Sequence, residues 1–205
     1  MLLSPIKRFL LAGLLFYSSC SPAQQMNTIG HTGKVLKEVY KDAFLLGTAV
    51  TPAITSGADQ LSQEIVISQF NTITVENVMK AALINPEPGV FRFGPADDFV
   101  AFGEKHKMFI VGHTLVWHNQ CPAWFFTNAS GKPNTKEEQI ERLREHIRVV
   151  AGRYAGKVHA WDVVNEIIDN DGSYRPTTWV NAMGNGDTLV KYAFQFAAEF
   201  APNTE

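Results

Sequence analysis

Cysteine is scarce. Only Cys20 and Cys121 occur in 205 residues. Two such thiols supply no disulfide framework, so the fold has to rest on a packed core. A charge imbalance is also missing. Eighteen Lys and Arg face twenty Asp and Glu, for a formal net charge of -2. That balance gives no reason to expect nucleic acid or an acidic surface as partner. No internal repeat, low-complexity tract or domain linker interrupts the chain. What is present is an ordinary globular mixture, 45% hydrophobic and 19% charged, in a chain long enough to bury one core.

The first twenty residues read as a targeting segment. Lys7-Arg8 forms a basic start, and Phe9 to Phe16 is an apolar run too short to span a bilayer. Tyr17-Ser-Ser-Cys20 follows. Small residues before a Cys resemble a bacterial lipoprotein signal, in which Cys20 becomes the lipidated first residue. Tyr17 stands where Leu is usual. The expectations are a signal peptide over 1–20, of lipoprotein type, and a tether over 21–33. The product is then exported, held at the bacterial outer membrane or in the periplasm by the lipid, or otherwise secreted. Membrane contact comes only through that lipid. Cys121 is left as an unpaired thiol, packed as a small hydrophobe.

Beyond the tether, periodicity alternates between strands and helices. Val35 to Tyr40 predicts a short helix, and Phe44 to Val50 a buried strand whose Gly47 suits close backbone packing. Ala58 to Phe70 predicts a helix with Leu61, Ile65 and Phe70 as its apolar positions. Asn71 to Val75 is the second strand. Ile84 to Phe93 is a proline-rich excursion. Pro95 opens a helix with Asp97 and Asp98 in its first turn and Phe99 and Phe102 on its inner face. Met108 to Trp117 is the third strand. Thr135 to Arg153 is an amphipathic helix with Ile140, Leu143, Ile147 and Val150 as its stripe. Thr135-Lys-Glu-Glu138 reads as its capping box. His159 to Val164 is the fourth strand, mostly apolar on both faces. A short helix near Thr178 to Met183 and a longer one over Asp187 to Phe200 follow. Leu189, Tyr192, Phe196 and Phe200 face in. Four strand–helix units in alternation require a parallel sheet with helical crossovers, an α/β fold.

The fourth strand ends in Asn165-Glu166, and a carboxylate at the C-terminal end of a parallel strand sits where α/β barrels keep their chemistry. Trp161-Asp-Val-Val-Asn-Glu166 resembles the acid/base strand of glycoside hydrolase family 10, the endo-1,4-β-xylanases. Glu76-Asn-Val-Met-Lys80 and Gly112-His-Thr-Leu-Val-Trp-His-Asn-Gln120 resemble two further blocks of that family, in its order. The resemblance implies retaining hydrolysis of β-1,4-xylosidic bonds in xylan, with Glu166 protonating the leaving oxygen. Retaining enzymes need a second carboxylate about 5–5.5 Å away as nucleophile. It also implies that Asn165 bonds the sugar 2-hydroxyl. Glu76, Asn77 and Lys80 would bond sugar hydroxyls on the glycone side, and His113, Trp117 and Gln120 would line the sugar next to the cleaved bond. Aromatic residues are 11% of the chain, which suits stacking on sugar rings. Trp124, Phe125 and Phe126 fit either core or an aglycone platform. His118 is a second-rank candidate.

A complete (β/α)₈ barrel takes about 250 residues. Four units imply an incomplete TIM barrel, the N-terminal half of a family 10 catalytic domain over 34–205. The family's nucleophilic Glu belongs to a seventh strand, past Glu205. The 205-residue chain alone is therefore expected to be inactive, a fragment that at most binds xylo-oligosaccharides. Its first and fourth strands leave open sheet edges, which favours self-association. Metal chemistry is the main competitor, because His113, His118, His159 and Asp162 lie on strands. In regular strands His159 and Asp162 point to opposite faces, as do His113 and His118. No metal and no cofactor is expected.

Overall fold

The computed structural model describes residues 33–205. The signal segment and Cys20 lie outside the described residues, as does the tether up to residue 32. The described chain forms one parallel sheet of four strands. They are β1 (Gly47–Val50), β2 (Thr72–Val75), β3 (Phe109–Val116) and β4 (Ala160–Val164), in the order β1-β2-β3-β4. Sequential parallel neighbours joined through helices are the arrangement of consecutive barrel units. The helices are α1 (Leu36–Val39), α2 (Pro52–Thr55), α3 (Gln60–Gln69), α4 (Ala81–Ile84), α5 (Gly94–Lys105), α6 (Lys136–Arg153), α7 (Thr178–Ala182) and α8 (Gly186–Phe200). A 3₁₀ turn covers Ala123–Phe126.

Local chemistry accounts for the helix starts. Thr135 accepts from the Glu138 N–H at 3.2 Å, while Glu138 Oε2 accepts from the Thr135 N–H at 2.7 Å. This capping box satisfies donors that the first turn of α6 would otherwise leave open. Asn185 caps α8 by accepting from the Thr188 N–H at 2.8 Å. Pro95 lies in the first turn of α5, where a missing N–H costs nothing. The helices cover one face of the sheet. Ile73, Ile110, Trp161 and Val163 are buried there with Phe99, Phe102, Leu143, Ile147, Val150, Leu189 and Phe196. The expected inner positions of α5, α6 and α8 are therefore buried or half-buried. Close packing explains Gly47, where a Cβ would come within 2.7 Å of Thr72 Cγ2.

Two expectations need correction. The first strand starts at Gly47, and Phe44 and Leu45 before it are exposed. On α3, Leu61 is 55% exposed and Ile65 is exposed as well, whereas Val66 is buried. The inward stripe of α3 runs instead through Gln63, whose Nε2 donates to the Ile54 carbonyl at 2.6 Å. A polar side chain that ties α3 to the end of α2 carries no signal in a hydrophobic pattern.

The sheet edges among the described residues are β1 and β4. The β4 edge is partly engaged. Glu205 donates its N–H to the His159 carbonyl at 2.9 Å and accepts from the Trp161 N–H at 3.0 Å. That alternation is the hydrogen-bond pattern of a parallel pair centred on Ala160.

Candidate active site

The candidate residues lie at or just past the C-terminal ends of β2, β3 and β4. Glu76 follows β2, Trp117 to Gln120 follow β3, and Asn165 and Glu166 follow β4. Parallel strands in register bring these ends to one rim of the sheet. Thr74 pairs with Val111 and Val116 with Val164.

Trp117 is the centre of the group. Its indole Nε1–H donates to Glu166 Oε2 at 3.0 Å. The Lys80 ammonium lies 4.6 Å from the centre of the indole ring, a cation–π contact. Lys80 is only 8% exposed, and its Nζ donates to Asn77 Oδ1 at 2.9 Å. Burying an ammonium is costly without such partners, so this pair is more than a solvated surface contact. His118 Nε2 stands 4.0 Å from the same Glu166 oxygen. Glu166, Trp117, Lys80 and Asn77 thus form one connected set, with His118 beside the carboxylate.

His113 sits on β3 with its ring 6.2 Å from that of Trp117. Its Nδ1 meets Asp162 Oδ2 at 2.8 Å, and the two residues pair directly in the β3–β4 register. Thr114 Oγ1 donates to the Asp162 carbonyl at 2.7 Å. Asp162 therefore fixes the orientation of the His113 imidazole. In the sequence Asp162 stands only among His113, His118 and His159 as a group that could hold a metal. The cross-strand pairing that matters is invisible until register is known.

The remaining candidates stand apart from this network. Glu76 is exposed, held through its backbone N–H to the Val50 carbonyl at 3.1 Å. Asn165 is tied by its N–H to the Val116 carbonyl at 2.9 Å, and Gln120 by its carbonyl to the Ala82 N–H at 2.7 Å. Among the described residues the side chains of these three make no hydrogen bond or ion pair. Gln120 and Glu166 both have positive φ, 48° and 53°. For residues other than glycine this conformation costs of order 1–3 kcal/mol and clusters at functional sites.

The opposite-face argument holds only for a regular strand. The β3–β4 register shifts between His113 and Val116. His118 lies past the end of β3, and it and His113 both flank Trp117, with ring separations of 5.9 and 6.2 Å. His159 is taken up differently. Its Nδ1 accepts from the Ile110 N–H at 3.0 Å, and its ring stacks on Phe109 at 4.8 Å. No group of three His, Cys, Asp or Glu side chains among the described residues is arranged to hold a metal ion.

The aromatic trio divides. Phe125 is fully buried between His146 and Trp179, with ring centres at 5.1 and 5.8 Å. Trp124 is half-buried, its Nε1–H bound to the Pro86 carbonyl at 2.9 Å and its ring covered by Arg142 at 4.8 Å. Phe126 packs edge-on against Trp179 at 5.0 Å. These contacts make Phe125 core. Cys121 is a free thiol, and burial pushes its pKa up to about 12, only partly offset by Trp179.

Comparison with known proteins agrees with this geometry. The model of glycosyl hydrolase family 10 matches residues 35–205. A β-1,4-xylanase of Dictyoglomus thermophilum is 43% identical over 172 residues, covering 83% of this chain and 46% of that protein. Endo-1,4-β-xylanase A of Xylanibacter ruminicola is 37% identical over 193 residues, covering 94% of this chain and 50% of the relative. An endoxylanase retrieved from a sugarcane soil metagenome superposes with a TM-score of 0.78 at 43% identity, covering 83% of this chain and 49% of that one. An intracellular xylanase of Thermoanaerobacterium saccharolyticum gives 0.78 at 36% identity, with 83% and 54% covered. The chain spans about half the length of the relatives it matches, and its four parallel strands form part of a barrel of their kind. With a family match over nearly all the described residues and the motif side chains gathered at one rim, this chain belongs to glycosyl hydrolase family 10.

Proposed function

We propose that this chain supplies the acid/base half of a retaining endo-1,4-β-xylanase site, acting on β-1,4-xylosidic bonds in xylan. The observation that carries the reading is the connected set of Trp117, Glu166, Lys80 and Asn77 at the strand ends. A carboxyl group there lies beside an indole ring and fixed hydrogen-bonding groups, the equipment for holding a sugar and protonating its leaving oxygen. Glu166 is the general acid in the first step and the general base in the second. His113, oriented by Asp162, and Lys80 with Asn77 bond sugar hydroxyls. Asn165, Glu76 and Gln120 reach substrate with amide and carboxylate groups not engaged within the described chain. In the full-length protein, Glu166→Ala is expected to lower xylan hydrolysis by about 10²–10⁴-fold and to spare xylo-oligosaccharide binding. Near-normal hydrolysis would remove the assignment.

A second reading is favoured by the share of the relatives that the chain spans, about half. By the family resemblance the nucleophile belongs to a later strand, so the 205-residue chain alone binds xylo-oligosaccharide without turning it over. Release of reducing sugar by the purified chain would exclude this reading.

The proposal extends to the ends of the domain. Residues 1–20 act as a lipoprotein-type signal and Cys20 carries the lipid that holds the exported protein at the membrane. Mass spectrometry of the mature N-terminus tests this, and an unacylated Cys20 would reject it. The outer edges of β1 and β4 promote self-association, which a clean monomer in sizing chromatography would contradict.

A further inference from the structure

The backbone at Glu166 is in the left-handed region, with φ at 53°, and nothing in its own side chain favours that state. Something nearby has to hold it. Past Glu166 the chain runs out and back as a short hairpin. Ile168 and Tyr174 form an antiparallel bridge. The Asp169 N–H donates to the Ser173 carbonyl at 2.8 Å, and the Arg175 N–H to the Ile167 carbonyl at 2.8 Å. Arg175 therefore returns alongside the residue that follows Glu166. Its side chain then reaches back, and Nε donates to the Glu166 carbonyl at 3.1 Å. The other end of the guanidinium lies 3.8 Å from the Asp169 carboxylate across the hairpin.

The base of this clamp is itself anchored. Pro176 follows Arg175 and restricts the Arg175 backbone to an extended conformation. Tyr174 lies flat on the start of α8. A Cβ at Gly186 would come within 2.1 Å of its ring, so only glycine admits it there. The Tyr174 hydroxyl donates to Asp187 Oδ1 at 2.6 Å. The hairpin is thus tied to a helix at one end and to the Glu166 carbonyl at the other.

We propose that Arg175 is a positioning residue for Glu166. It holds the carbonyl that follows the left-handed Cα, and the Asn165 N–H bond to the Val116 carbonyl holds the chain just before it. With the backbone held on both sides, the direction of the Glu166 Cα–Cβ bond is set, and the carboxylate reaches the Trp117 indole. Arginine suits this role because its planar donors fix an angle and its charge does not titrate. A lysine would offer a point charge without that geometry. The catalytic meaning of this clamp rests on the acid/base reading of Glu166, but the clamp itself does not.

The test needs no substrate. The Trp117 Nε1–H reports on Glu166 because it donates to that carboxylate, and it is read as an indole signal in a ¹H–¹⁵N spectrum of the 205-residue chain. Trp117→Phe assigns the signal and Glu166→Ala gives its position when the carboxylate is gone. Arg175→Ala is expected to move the Trp117 signal toward the Glu166→Ala position and to speed its hydrogen exchange. The Trp124, Trp161 and Trp179 signals stay in place. Arg175→Lys gives the same direction of change and carries the test if Arg175→Ala fails to fold. An unmoved Trp117 signal in Arg175→Lys would overturn the proposal. So would equal movement of all four indoles, which would mean a general loss of packing. Failure of the xylanase reading would show as active Glu166→Ala protein and would leave these spectra unchanged.

Discussion

The two faces of the sheet come from the same strands and differ in almost every respect. Alternate residues point to opposite sides. Ile73, Ile110, Trp161 and Val163 face the helices and are buried. Thr72, Thr74, Val111, His113 and Asp162 face the other way and are only half-buried or exposed. On the helix side, volume is the constraint. A Cβ at Gly112 would come within 2.3 Å of the Trp161 ring, and one at Gly103 on α5 within 2.5 Å of Ile110. On the other side the constraint is where polar atoms find partners, and the His113–Asp162 pair is its clearest product. The helix side specifies the fold, and the opposite side, with the strand ends above it, gathers the ionisable side chains.

Three substitutions probe that contrast. The largest effect belongs to the buried face. Ile110→Ala removes a fully buried side chain between β3 and Gly103 of α5 and is expected to cost about 2–5 kcal/mol in urea unfolding. A cost below about 1 kcal/mol would mean the two faces are less different than their packing indicates. His146, also on the helix side, comes next. It is 2% exposed, and neither ring nitrogen has a hydrogen-bond partner among the described residues. Burial pushes its pKa down to about 4. The unfolded chain takes up the proton near pH 6.5 and the folded one only near 4. Stability from this group is therefore complete above about pH 6.5 and is lost as pH falls toward 4. The difference corresponds to roughly 3 kcal/mol. His146→Phe should flatten that part of the stability–pH curve, and an unchanged curve would place the acid sensitivity elsewhere. The smallest effect belongs to the opposite face. The Thr72 hydroxyl is buried without a hydrogen-bond partner among the described residues. Thr72→Val replaces it by a methyl group of similar shape and is expected to leave stability within about 0.5 kcal/mol or raise it.

Much of this arrangement was legible in the residues. The capping box of α6 rests on two side chains three apart, and the buried stripes of α6 and α8 follow helical spacing, so local sequence was enough. The same holds for Glu166, which a strand end and its motif single out. What was not legible depends on partners distant in sequence. The apolar positions of α3 did not show how it is tied down, since Gln63 binds the Ile54 carbonyl, a role no hydropathy pattern carries. Asp162 acquires its meaning from His113, forty-nine positions earlier. His118 lies past the end of β3, 4.0 Å from a Glu166 oxygen on the neighbouring strand end. Arg175 gave no signal, since its target is a backbone carbonyl. A basic residue in a polar loop is ordinarily a solvated one.

One rung of the β3–β4 ladder joins Gly112 to Trp161, and the next joins His113 to Asp162. Dry packing and ionisable chemistry are therefore a single residue step apart along both strands. Adding or deleting one residue below these rungs in β4 would exchange the two environments. It would turn the Trp161 indole away from the helices and press the Asp162 carboxylate against them. Tolerated length changes in this half of the barrel should accordingly fall in the hairpins and loops past the strand ends. Within the strands, variation is confined to replacing one side chain by another of matched size.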